Sequence, residues 1–128
     1  MRYDRKYLIC GLTYAVAGMA LGMAMAASHD HGQLVTHAHL LLVGFVTSMM
    51  YAIIHKLWLH DLTPRVATVQ FIVHNLGAVT MIIALFLLFQ RTFPEEQLGP
   101  ILGMASTTVM TGMLLMYWMV IKTGKLDK

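Results

Sequence analysis

Two histidines stand one residue apart in Thr36-His37-Ala38-His39, and the apolar run Leu40-Leu41-Leu42-Val43-Gly44-Phe45 follows directly. Neutral imidazole is the commonest metal ligand among protein side chains. Ionisable groups inside a lipid-embedded helix are expensive, which makes them functional candidates. The chain has seven histidines in 128 residues. His29, His31, His37 and His39 lie close together in sequence, whereas His55, His60 and His74 are spread along the rest. On an α-helix, residues two apart point about 200° apart. His37 and His39 therefore cannot hold one ion side by side, and each addresses a different partner on opposite flanks of the helix. A second arrangement uses the loop Ser28-His29-Asp30-His31-Gly32 together with the pair as a surface zinc or copper site. His-x-His in a loop is a weak signal of that kind, and a solvated loop explains it equally well.

The elements that must position these residues follow from the distribution of charge. Hydrophobic residues make up 58% of the chain and charged residues 12%, against roughly 45–50% and 25% in soluble domains. The charges are also grouped. Lys6 to His29, Asp30 to Lys56, Arg65 to Arg91 and Glu96 to Lys122 enclose 22, 25, 25 and 25 residues without Asp, Glu, Lys or Arg. A membrane-spanning helix needs about 20 apolar residues. The pattern predicts an all-α fold: one integral membrane domain over residues 1–128, an up-down-up-down bundle of four helices at about 7–27, 34–58, 64–90 and 100–121. A soluble bundle is excluded because none of the four runs has a polar face of useful width.

Eight of the nine Lys and Arg residues (Arg2, Arg5, Lys6, Lys56, Arg65, Lys122, Lys125 and Lys128) fall on one side of this arrangement, and Arg91 alone on the other. The positive-inside rule then places both termini and the 56–65 loop in the cytoplasm. The net charge of +3 comes from bases flanking the spans and not from a surface suited to nucleic acid. Ala24-Met25-Ala26 resembles a signal-peptide cleavage site, but the apolar run before it is long for a signal peptide, so a retained helix is expected. The lone Cys10 excludes an intrachain disulfide and reads as a packing residue. Pro64 and Pro100 suit a first helical turn, with Thr63 as an N-cap.

Faces follow from spacing. Gly11, Ala15, Gly18, Gly22 and Ala26 make a small-residue stripe on the first helix, a packing seam within one subunit or between subunits. Room for a flat cofactor is its other use. His37 and His55 are five turns apart on one face, about 27 Å along the axis, with Leu41, Gly44, Ser48 and Tyr51 between them. Gly44 and Ser48 leave a groove for a neighbouring helix or a porphyrin. His74 shares a face with Gln70, Gly77 and Met81. It lies roughly 15 Å in depth from His39, too far for both to bind one metal, and its uses are a hydrogen bond within the bundle, a contact to a cofactor, or a ligand for another subunit. Met104, Met110, Met113, Met116 and Met119 drift around the fourth helix as a spiral, which suits flexible packing better than copper binding.

Thr36-His37-Ala38-His39, then Gly44-Phe45, then Tyr51-Ala52-Ile53-Ile54-His55-Lys56-Leu57 resembles the tenth transmembrane helix of heme-copper oxidase subunit I, most closely in the cbb-type oxidases and more distantly in the nitric oxide reductases. Phe45 stands where that family commonly has Trp. Val73-His74-Asn75 resembles an Ala-His-Phe segment on the family's eleventh helix. The likeness covers about residues 33–89. It implies that His37 and His39 are heme ligands, because the family's pair serves a high-spin and a low-spin heme. The chain lacks the histidines of the family's copper site and two thirds of its helices, so one chain holds no complete dinuclear centre. What the resemblance implies is a small heme b protein of the bacterial inner membrane, a homo-oligomer in which a second copy, or His29 or His31, completes the iron. Its expected work is electron transfer with a respiratory-chain partner, heme handling or gas sensing. Copper or zinc binding or transport, and a non-catalytic assembly subunit of a respiratory oxidase, are the other expectations. No Gly-rich phosphate loop, nucleophile motif or buried carboxylate pair is present.

Overall fold

The computed structural model describes residues 2–59 and 64–126. Thr63 and His60 lie outside the described residues. Four helices, each long and apolar enough to cross a bilayer, make up the architecture: α1 (Tyr3–Ser28), α2 (Leu34–Trp58), α3 (Pro64–Phe89) and α4 (Glu95–Leu126). The protein is a multi-pass membrane protein. Its outer surface is what lipid requires: Val16, Met23, Leu42, Leu76 and Met104 are more than 60% exposed, and every one of them lies on a helix whose backbone groups bond internally.

The second and third helices begin and end within one residue of where the charge-free runs place them. The fourth differs. Pro100 does not sit in its first turn. The helix starts at Glu95 and carries Pro100 inside, because the Pro94 carbonyl accepts from the N–H groups of Gln97 and Leu98 at 3.1 and 3.3 Å and nucleates the helix earlier. Glu95 and Glu96 thus belong to the first turn, where carboxylates favour the helix dipole.

α3 stops in a Schellman arrangement. Thr92 N–H donates to the Leu87 carbonyl at 3.3 Å and Arg91 N–H to that of Leu88 at 3.1 Å, with Arg91 at φ 59°. Glycine takes that left-handed position without the Cβ clash. Arg91→Gly is expected to raise stability by about 0.5–1 kcal/mol, read as a higher unfolding midpoint in detergent. An unchanged or lower midpoint would count against the cap.

Helices α1 and α2 form one antiparallel pair, and α3 and α4 the other. In the first pair, the small residues of α1 are covered from within the chain. A Cβ at Gly11, Gly18 or Gly22 would meet Met49 and Ser48, Leu41, or the His37 ring at 2.8–3.2 Å. In the second pair, Gly77 lies against Val109 and Thr108, and Gly112 against the backbone of His74. The α1 stripe is therefore an intrachain seam, and its glycines let the helix backbones approach. The methionine spiral passes from lipid to core as its spacing dictates: Met104 and Met110 are exposed, whereas Met116 and Met119 are buried.

Helix α2 has one irregularity. Leu40–Val46, directly after His39, is π-helical. The Thr47 hydroxyl donates to the Leu42 carbonyl at 2.8 Å, five residues back, and so occupies an acceptor in the widened turn. An α-helix rotates about 40° with every four residues. The wider turn takes up that drift, and Thr36, Leu40, Gly44 and Ser48 are all buried.

Candidate functional site

His37 and His39 sit at the start of α2 and are both half-buried. His37 Nδ1 lies 2.8 Å from the Gly18 carbonyl of α1. His39 Nδ1 lies 2.8 Å from the Val35 carbonyl of its own helix. A carbonyl can only accept, so the hydrogen is assigned to Nδ1 in both rings. Each Nε2 is then a lone pair, and neither has a partner among the described residues. One nitrogen of each ring is anchored on a backbone carbonyl. Ligating histidines are oriented in this way, with the distal N–H held by a carbonyl or carboxylate.

The two rings take different flanks. His37 turns toward α1, where its Cε1 would be 2.9 Å from a Cβ on Gly22, and His39 bonds only along its own helix. His29 and His31 remain exposed in the connection between α1 and α2. His29 terminates α1 with its backbone in the left-handed region, at φ 57°, ψ 16°. The His31 carbonyl accepts from Leu34 N–H at 3.2 Å. Among the described residues, no three His, Cys, Asp or Glu side chains converge on one point. The structure thus does not gather His29, His31, His37 and His39 into a ready-made cage. The space over Gly44 is also taken: a Cβ there would lie 2.5 Å from Tyr14 Cγ. Of the groove's two uses, this conformation has the neighbouring helix.

A second polar constellation lies deeper, and the sequence does not announce it. Tyr7 of α1, Ser48, Tyr51 and His55 of α2, and Gln70 and His74 of α3 are all buried. The Tyr7 hydroxyl donates to Gln70 Oε1, and Gln70 Nε2 donates to the Gly112 carbonyl at 3.1 Å, so three helices are tied by one side chain. Tyr3 bonds Thr68, and the Tyr14 hydroxyl donates to Asn75 Oδ1 at 2.9 Å. Tyr7 stacks on His55 with centroids 5.8 Å apart and meets Tyr51 edge-on at 5.2 Å. Tyr51 meets His74 edge-on at 5.0 Å.

His74 is fully buried, yet neither of its ring nitrogens has a hydrogen-bond partner. The Val43 carbonyl of the π turn lies beside it, in a geometry short of a bond. Ser48 Oγ and His55 Nε2 are likewise unpartnered. The expected hydrogen bond of His74 within the bundle is thus not formed, whereas the shared face of Gln70, His74, Gly77 and Met81 does point inward. That i, i+4 pair of polar residues in an apolar run was the one sequence signal for this core. Tyr7 gave none, because a tyrosine near a span end also suits the membrane interface.

The chain matches no protein-family model, no curated protein and no solved structure. The class defined by fold and site is therefore a four-span membrane protein with a half-exposed histidine pair at one helix mouth and a buried tyrosine–histidine core.

Proposed function

We propose that this is a heme b protein of a bacterial inner membrane, with both termini cytoplasmic, in which His37 and His39 would hold the iron. The single observation that supports this reading is the anchoring of both rings through Nδ1. It leaves Nε2 as the ligand atom at the two positions where the sequence resembles heme-copper oxidase subunit I. The residues fit the ligand role. They do not enclose a macrocycle within one chain, because Tyr14, Leu41 and His37 fill the hollows over Gly44, Gly18 and Gly22. A second copy, in a homo-oligomer, would complete the binding of the group. Bound heme supplies one-electron chemistry or a gas-binding iron, with ligands setting its potential. The chain's own part is to fix the rings: the Gly18 carbonyl holds His37 and the Val35 carbonyl holds His39. Electron transfer, heme handling and gas sensing all use this arrangement.

The purified protein is expected to show a Soret band and stoichiometric iron. His39→Ala and His37→Ala are expected to lose the band while keeping their helical circular dichroism. The double change His29→Ala/His31→Ala is expected to keep it. Colourless protein that gains no spectrum with added hemin overturns the reading. Bound copper or zinc lost in the His29/His31 variant would replace it with the metal-binding alternative.

A further inference from the structure

The end of the bundle carrying the basic residues has a groove of about 610 Å³ between α1 and α2. Its wall is apolar: Leu8 from α1, and Met49, Ala52, Ile53 and Leu57 from α2. Its mouth is charged: Arg5 comes from the first turns of α1 and Lys56 from the last turn of α2. Asp4 also lines it, but its carboxylate is engaged by Arg2 at 3.4 Å and by Arg5 N–H at 2.8 Å. Among the described residues, neither Arg5 nor Lys56 has a carboxylate partner. The lining thus carries two bases, Arg5 and Lys56, against one acid that Arg2 already pairs.

We propose that this groove is a binding site for one anionic glycerophospholipid, with its phosphate between Arg5 and Lys56 and an acyl chain along Leu8, Met49 and Ile53. The dimensions agree. Met49 to Lys56 spans about 10 Å along the helix, within the ~15 Å that one leaflet contributes to the hydrocarbon core. Long basic side chains at a span end reach toward headgroups while their stems lie on apolar surface. The other concavities have different chemistry. The groove between α3 and α4 at the same end, about 510 Å³, has Arg65 at its edge, and a second base beside it, Lys122, is engaged over the Trp118 ring at 4.8 Å. The hollow at the opposite end sets Asp30 and Glu95 against Arg91 and repels an anion. Among the described residues, the α1–α2 groove joins two cations without a carboxylate partner to a lipid-length apolar wall. The inference is independent of the histidine pair.

The test is native mass spectrometry of the full chain in detergent, titrated with phosphatidylglycerol or with phosphatidylcholine of identical acyl chains. One phosphatidylglycerol per chain is expected, at least about tenfold preferred. Each base near a membrane surface contributes about fivefold to that preference, so the two together account for it, and Arg5→Gln/Lys56→Gln should abolish it. Both side chains are exposed, and the melting curve of this variant should match wild type. Arg91→Gln, at the other end, should change nothing. Ile53→Trp fills the groove and keeps both charges, and should expel the lipid. Equal retention of the two lipids overturns the proposal. So does an unchanged preference in the double variant, or an Ile53→Trp protein that keeps its phosphatidylglycerol but loses self-association, which would make the groove an interface between copies.

Discussion

Gly44→Ala is expected to lose about 1–2 kcal/mol of stability although it replaces glycine in a helix with the best helix former. Intrinsic propensity favours alanine by about 1 kcal/mol. Against this, the new methyl would sit 2.5 Å from Cγ and 2.8 Å from both Cβ and Cδ1 of Tyr14. The ring cannot step aside. Its hydroxyl is held by Asn75 Oδ1 at 2.9 Å, and Asn75 Nδ2 is fixed in turn on the Phe71 carbonyl at 2.9 Å. The remaining relief is to part α1 from α2, which loosens the seam at Gly11 and Gly18. Forced overpacking of this kind costs about 1–3 kcal/mol, enough to exceed the propensity gain. The measurement is a double-mutant cycle with Tyr14→Ala by unfolding in mixed micelles. With the ring gone, Gly44→Ala should become neutral or stabilising, a coupling of about 2 kcal/mol. An identical effect in both backgrounds sinks the account.

The same residues show what could be seen in the sequence and what could not. Charge at the borders of Leu34–Trp58 and Pro64–Phe89 is a one-dimensional signal, because lipid excludes charge over a fixed thickness, and these helices were legible from it. The stripe of glycines on α1 was legible as a packing face. Its partner was not, since intrachain and interchain seams demand the same small residues. The chain covers the stripe with its own α2. Pro100 misled because proline is tolerated at the first turn and also a little further in, when the residues before it can bond to the Pro94 carbonyl. The π turn had no signal at all: Thr47 bonding to Leu42 is one of several backbone choices open to a threonine in a helix. Nor could the buried core be read beyond the shared face of Gln70 and His74. Tyr7 and Gln70 are 63 residues apart, and no periodicity relates a hydroxyl on one span to an amide on another. The histidine pair was conspicuous because it interrupts an apolar run. How the His37 ring is held depends on Gly18, 19 residues away.

His74→Leu is expected to leave the protein as stable as wild type or to raise its stability by up to about 2 kcal/mol, against the general rule that core substitutions destabilise. A neutral imidazole has one donor and one acceptor nitrogen, and both are buried here without a partner. An unsatisfied buried polar group costs about 1–3 kcal/mol. Leucine removes that cost and gives up the edge-on contact with Tyr51, worth about 0.5–1.5 kcal/mol. Gln70→Leu supplies the contrast from one turn away. It strips the Tyr7 hydroxyl and the Gly112 carbonyl of their partner, and cross-helix bonds in membranes average ~0.6 kcal/mol each. A loss of about 1–2 kcal/mol is expected, opposite in sign to its neighbour on the same face. Chemical unfolding of the two variants beside wild type separates them. If His74→Leu instead loses more than about 1 kcal/mol, the ring is bonded to an internal water or another group and is not an orphan.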